Sequence, residues 1–400
     1  MKEVPILRIP FSDPDVQQLV EGWTDVLGSG FLTLGSYTNR FEQLFREFTG
    51  AKHAVAVSSG TSALEVMIRA LGIEGRSIIV PTNTFLASAL AVAHSGNKVV
   101  FADSDPDTMG LDPVDVARKV DEDTAAVMAV HIGGLISPAI DLIRDLCQRR
   151  GLYLLEDCAH AHGSTLDGVH AGLWGIAGGF SFFPTKTLTT GEGGMVITGD
   201  EEVYHRMLML RNQGKNPALG NKISELGHNW RLSEFTAVLG VQQLERAKGI
   251  LEDRGRIARF YDQALLEFEG LRPLARPPGF TSSHYKYIVY LDPSWDRAGV
   301  KRIMKEKYSV SLPGEVYADL CHDEPLWESH TYCGKRKEGN GGIQCTRWPQ
   351  CGCGTRQQGF PGAEYLSRHH LCLPMYPGLE EEALEHVVQS LEHTLHQDLA

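Results

Sequence analysis

The stretch FSFFPTKTLTTGEGGMVITGD (residues 180–200) places Lys186 after an apolar run, adds hydroxyls and glycines, then resumes with a second apolar run. The two runs read as strands, the second a hairpin partner of the first, with Lys186 in the connection. Taken alone, a lysine there is a solvated turn residue. Its surroundings along the chain argue for more.

Upstream, LLEDCAHAHG (154–163) is an apolar run that ends in Glu156 and Asp157. Farther out, HAVAVSSG (53–60), SIIVP (77–81), KVVFAD (98–103) and AAVMAVHIGG (125–134) read as buried strands. TSALEVMIRALGI (61–73), TFLASALAVAHSG (84–96) and PAIDLIRDLCQRRG (138–151) alternate with them as helices. Such alternation predicts an α/β fold with a mostly parallel sheet covered on both faces. Helical patterns resume at 201–214 and 231–268. From about residue 270 the texture changes. LRPLARPPGF (271–280) reads as a Pro-rich connector, HYKYIVYL (284–291) as an alternating strand, and 296–310 and 379–399 as helices. The expected organisation is a large α/β domain over 1–250 and a small α+β domain over 251–400, without an internal repeat.

A 400-residue chain with 42% hydrophobic content can bury a sizeable core. A formal net charge of −12 argues against nucleic acid or an anionic membrane as partner. The N-terminal MKEVPILRIPFSDPDV lacks the apolar core of a signal peptide, and no run is long enough to span a bilayer. A cytoplasmic protein with reduced thiols is expected. Of the eight cysteines, six crowd the last quarter, where about 323–362 reads as an inserted loop. Cys345, Cys351 and Cys353 are a conceivable zinc set. Their CGC spacing is not the Cys-x-x-Cys knuckle, however, and no metal is expected.

In parallel sheets, ligands gather at the carboxyl ends of the strands. SSGTSAL (58–64) sets small residues where a strand meets a helix N-terminus, which is either a phosphate site or simply a good cap. Asp157 and Lys186 each follow a strand. A lysine amine, a carboxylate and a phosphate cradle are the groups that pyridoxal phosphate requires. The amine bonds the cofactor aldehyde, the carboxylate keeps the pyridine nitrogen protonated, and the cradle takes the phosphate.

These segments, with VHIGG (130–134), RNQGK (211–215), GHNWRLSEFTAVLG (227–240) and LCLPMYPGLEEEA (371–383), resemble the fold-type-I pyridoxal-phosphate aminotransferases of the DegT/DnrJ/EryC1/StrS type. The resemblance covers nearly the whole chain outside 323–362. It implies a large domain with a mostly parallel, seven-stranded sheet sandwiched by helices and a small C-terminal α+β domain. By that resemblance Lys186 carries the cofactor and moves the proton, while Asp157 pairs with the pyridine nitrogen. His160 lies by the ring and its 3-oxygen, and Phe85 stacks on the ring. Gly60, Thr61 and Ser181 contact the phosphate. Asn229 reaches the phosphate of a neighbouring subunit's cofactor, which implies a homodimer with shared sites. YADLCH (317–322) departs from the family's Tyr-x-x-Leu-His, so no role passes to Tyr317 or His322. Cys158 stands where the family has a small residue.

The implied reaction moves an amine from an amino acid, commonly L-glutamate, through pyridoxamine phosphate to a keto group of a nucleoside-diphosphate sugar. A dTDP-4-keto-6-deoxyhexose is the expected acceptor. Four alternatives compete: a sugar dehydratase, which Lys186 opposes because that branch typically carries histidine there; amination of a cyclitol or other non-nucleotide ring; a non-catalytic cofactor-binding regulator; and a metal-stapled interaction protein.

Overall fold

The computed structural model describes residues 3–266, 268–329, 335–337, 343–345 and 359–399, the two short tripeptides by their backbone alone. Two helices open the chain, α1 (Asp13–Ser29) and α2 (Ser36–Thr49). The first β–α alternations follow: β1 (His53–Val57), α3 (Gly60–Ala70), β2 (Ser77–Pro81), α4 (Ala87–His94) and β3 (Lys98–Ala102). Next come α5 (Pro113–Lys119), β4 (Thr124–Val130), α6 (Ile140–Arg150) and β5 (Tyr153–Asp157). A small hairpin, β6 (Thr165–Leu166) and β7 (Val169–His170), precedes β8 (Ala177–Ser181) and β9 (Gly194–Thr198).

The main sheet has seven strands in the order β1-β9-β8-β5-β4-β2-β3, with β9 antiparallel to both its neighbours and the other pairs parallel. Both faces are covered, so β2, β8 and β9 are buried at every residue, which explains their unbroken apolar character. One face packs Phe41, Phe45, Ile79, Val127 and Phe180; the other packs Val55, Leu64, Met67, Ile78 and Leu155. The expected strand at FSFFPT begins and ends earlier. Ser181 is the last paired residue, opposite Gly194, and Pro184 lacks the N–H a further ladder would need.

After α7 (Glu201–Arg211), the hairpin β10 (Lys215–Asn216) and β11 (Lys222–Ile223) leads to α8 (Glu234–Ala264). Helix α8 runs unbroken through residue 250. Its Ala237, Leu244 and Ala247 join the core under the large sheet, and its Ile257, Ala258 and Tyr261 join a second core. That second core lies on a three-stranded antiparallel sheet of β12 (Leu271–Pro273), β14 (Tyr287–Leu291) and β17 (His370–Leu373). The Pro-rich connector therefore contains an edge strand, where Pro273 is tolerated, and β13 (Phe280–Thr281), which pairs with β6. Helices α9 (Arg297–Tyr308) and α12 (Glu381–His393) pack on this core through Val300, Met304, Leu384, Val387 and Leu391. Between them lie α10 (Leu326–Ser329), β15 (Lys335–Lys337), β16 (Ile343–Cys345) and α11 (Pro361–His369). The zinc question posed for Cys345, Cys351 and Cys353 lies outside the described residues. Among the described residues, no helix is long and apolar enough to cross a membrane.

Arg254, on α8, is buried and donates from Nη1 to the carbonyls of His284 (2.8 Å), Met375 (3.3 Å) and Tyr285 (3.5 Å). It fastens the helix to the segment that leads into β14.

Candidate active site

The ends of β1, β2, β4, β5 and β8 open on one cavity of roughly 380 Å³, whose wall also includes residues 285–286 and 314–317. Its walls include Gly60, Thr61, Phe85, Asp157, His160, Ser181 and Lys186, so the fold brings together all but one of the residues singled out from sequence. The exception is Asn229, which is exposed and bridges to Asn212 away from this cavity.

At the end of β1 the chain enters α3 through a capping box. The Ser59 side chain accepts from the Ser62 N–H, and Ser62 accepts from the Ser59 N–H in return. The first N–H groups of a helix have no intrahelical partner, which leaves those of Gly60 and Thr61 at the cavity wall with the positive end of the helix dipole. Ser181, the last residue of β8, presses on this turn. A Cβ on residue 60 would sit 2.6 Å from the Ser181 Cβ, so only glycine fits there.

Asp157 ends β5 and is buried, with its carboxylate oriented by two donors. The Ser88 hydroxyl donates to Oδ2 at 2.7 Å, and the Ala159 N–H donates to Oδ1 at 3.0 Å. Ser88 in turn shares a 2.9 Å hydrogen bond with Thr84. Lys186 lies in the connection after β8, its Nζ 5.1 Å from the centre of the Tyr285 ring. Burial is the largest influence on its amine, and the positive charge of Lys286 acts the same way. Against the pull of Asp157, they lower its pKa from 10.5 to about 8. A sizeable neutral fraction near neutral pH makes the amine a nucleophile and a proton carrier.

His160 is held neutral. Burial, then the charges of Lys186 and Lys286, push its pKa well below the usual histidine value. The Gly133 N–H donates to Nδ1 at 3.3 Å, which assigns the ring proton to Nε2. Nε2 then donates to the Tyr317 oxygen at 3.2 Å and leaves the phenolic hydrogen free to donate elsewhere. The Tyr285 ring stacks on His160 at 4.1 Å with a 21° interplanar angle. Phe85, 62% exposed, stands at the mouth with its ring 6.1 Å from that of Tyr317.

Tyr285, Lys286 and Tyr317 are cavity residues that sequence reasoning did not assign. The alternation in HYKYIVYL marked a strand and nothing more, and the altered YADLCH pattern withheld a role from Tyr317. His322 stays out of the cavity: its Nδ1 bonds Thr82 Oγ1 at 2.6 Å, and its ring leans on Phe360.

The pattern of the DegT/DnrJ/EryC1/StrS aminotransferase family matches residues 15–339. The chain belongs to this family. Among its relatives, GDP-perosamine synthase of Vibrio cholerae is 41% identical over 92% of this chain and 94% of its own length. The UDP-N-acetyl-3-dehydro-alpha-D-glucosamine 3-aminotransferase of Acidithiobacillus ferrooxidans is 30% identical over 98% and 97%. The crystal structure of DesI, determined in the presence of its TDP-sugar product, superposes with a TM-score of 0.82 at 28% identity, covering 99% of this chain and 94% of that one. This family member is a sugar aminotransferase that uses pyridoxal phosphate. Its cavity fits that group: a nucleophilic amine, a fixed carboxylate and a pair of unpartnered helix N–H groups share one space.

Proposed function

We propose that the chain transfers the amino group of L-glutamate to the keto group of a 4-keto-6-deoxyhexose carried on a nucleoside diphosphate. The observation that carries this reading is the placement of Lys186 and Asp157 in one cavity with the N-terminus of α3. When bound, pyridoxal phosphate supplies an electron-accepting ring that weakens the bonds at the amine-bearing carbon. In this reading Lys186 holds the cofactor and, once released, moves a proton at the reacting carbon. Asp157 keeps the pyridine nitrogen protonated, with Ser88 and the Ala159 N–H fixing its carboxylate. The N–H groups of Gly60 and Thr61 and the Ser181 hydroxyl hold the phosphate. Phe85 and His160 fix the ring plane.

The relatives split over the carrier. The sequence reading favoured dTDP, whereas the 41%-identical relative makes GDP-perosamine, which supports GDP as the carrier here. We also read the active unit as a homodimer in which Asn229 serves the partner's cofactor phosphate. Its exposure and its separation from its own cavity support this, as does exposed apolar surface at Phe31, Leu32, Ile223 and Leu226. Protein loaded with pyridoxamine phosphate is mixed with GDP-, dTDP- and UDP-linked keto sugars. Return of the aldehyde-form absorbance is expected, fastest with the GDP-linked 4-keto-6-deoxyhexose. No response to any of them would overturn the reading, and a faster dTDP response would restore the first choice of carrier.

A further inference from the structure

The cavity holds a second lysine. Lys286 lines it too, on the segment that leads into β14, and its Nζ lies 5.2 Å from the centre of the same Tyr285 ring. The two amines are therefore no farther apart than the sum of two such distances. Among the described residues, Lys286 makes no ion pair and no side-chain hydrogen bond. None of the charged and titratable groups around it forms an ion pair with it, although Glu315 exerts some pull. Glu315, also in the cavity wall, is bound by Lys301. Asp157 is hydrogen-bonded by Ser88 and the Ala159 N–H, and its charge acts on Lys186. Arg254 is itself a cation. Cys372 is fully buried, its thiol pushed up to about 12 and so uncharged. Burial accordingly weakens the hold of Lys286 on its proton, and an entering anion would restore it.

We propose that Lys286 is the counter-ion for a carboxylate of the amino-acid donor, and thus a residue that sets donor specificity. The proposal rests on the aminotransferase reading above. A cation in a largely enclosed wall is costly without an anionic partner, and the two substrates differ in what they offer it. The donor's α-carboxylate is bonded directly to the carbon that reacts at Lys186, and glutamate brings a second carboxylate a few bonds farther on. A deoxyhexose ring is uncharged. Its diphosphate hangs from the ring carbon opposite a 4-keto group, farther from Lys186 than either donor carboxylate.

The test separates the two half-reactions in holoenzyme carrying Lys286→Met or Lys286→Arg. With L-glutamate, the half-saturating concentration for conversion of the aldehyde form is expected to rise at least about tenfold in Lys286→Met and to recover most of that loss in Lys286→Arg. With the keto-sugar nucleotide, the half-saturating concentration for the amine form is expected to stay within about twofold of the parent. Succinate, which cannot be transaminated, gives a readout free of turnover. Its dissociation constant from the holoenzyme, by calorimetry, is expected to rise in parallel with that for glutamate. An unchanged glutamate requirement and unchanged succinate binding in Lys286→Met would overturn the proposal. So would a loss confined to the nucleotide half-reaction, which would make Lys286 a phosphate contact. If the parent protein transaminates no substrate, the function reading fails, while the succinate measurement still decides the role of Lys286.

Discussion

Lys186 and Asp157 were legible because each stands at or just beyond the end of a buried apolar run, and a parallel sheet delivers such residues to one edge. Tyr285, Lys286 and Tyr317 come from segments about a hundred residues or more downstream, and only folding reveals that they complete the wall. The lysine pair has a consequence for pH. Attack on the cofactor aldehyde needs the neutral amine, so cofactor association with apoprotein is expected to accelerate with rising pH, with its midpoint near pH 8, and to level off above that. Lys286 is one of the charges that lower the Lys186 pKa. Removing it in Lys286→Met raises that pKa, and the midpoint of the profile shifts to higher pH. Stopped-flow absorbance across a pH series checks both. Lys186→Ala itself is expected to lose about a thousandfold or more of turnover and the borohydride-reducible cofactor adduct. Full activity would mean that another lysine carries the cofactor.

At the level of elements, the central strands and the helices between them were readable because local patterning and burial agree. Helix α1 has a local start signal in its Ser12–Asp15 capping box, but α2 has none. Helix α2 has Gly35 at its N-cap, with no side chain to cap it, and the missing acceptor comes from the middle of the chain. The Glu234 carboxylate, in the first turn of α8, accepts from the N–H groups of Gly35 (2.9 Å), Tyr37 (2.8 Å) and Thr38 (2.9 Å), and from the Thr38 hydroxyl. A cap supplied from about two hundred residues away leaves no start signal in the local sequence. It also concentrates stability in one buried side chain, 1% exposed. Glu234→Ala strands several buried donors at once and is expected to cost about 3 kcal/mol, read as a fall in the urea midpoint, with Glu234→Gln intermediate.

For the whole molecule, the sequence conveyed the layered sheet and the smaller C-terminal unit, but not that one helix serves both cores. Periodicity shows that α8 is amphipathic; it does not show which partner each half meets. Nor does one chain's sequence show what stands opposite Asn229. If the sites are shared, mixing inactive Lys186→Ala with Asn229→Ala subunits restores some activity, because one of the two sites in the mixed dimer then carries both intact residues. A quarter or less of parental activity is expected once subunits have exchanged, the exchange being followed with a tagged copy. No recovery after proven exchange would argue for self-contained sites.

Arg254 gives this arrangement a further meaning. Because it clamps the carbonyls of His284, Tyr285 and Met375, the wall bearing Lys286 takes part of its position from α8, alongside the bonds from the Lys286 N–H to the Gly133 carbonyl (3.3 Å) and from the Ser283 hydroxyl to the His160 carbonyl (2.7 Å). Reactivity and choice of partner are thus encoded on separate stretches of one gene. Drift in the second can rewrite what is accepted while leaving the first intact, so long as the rivet at Arg254 is preserved.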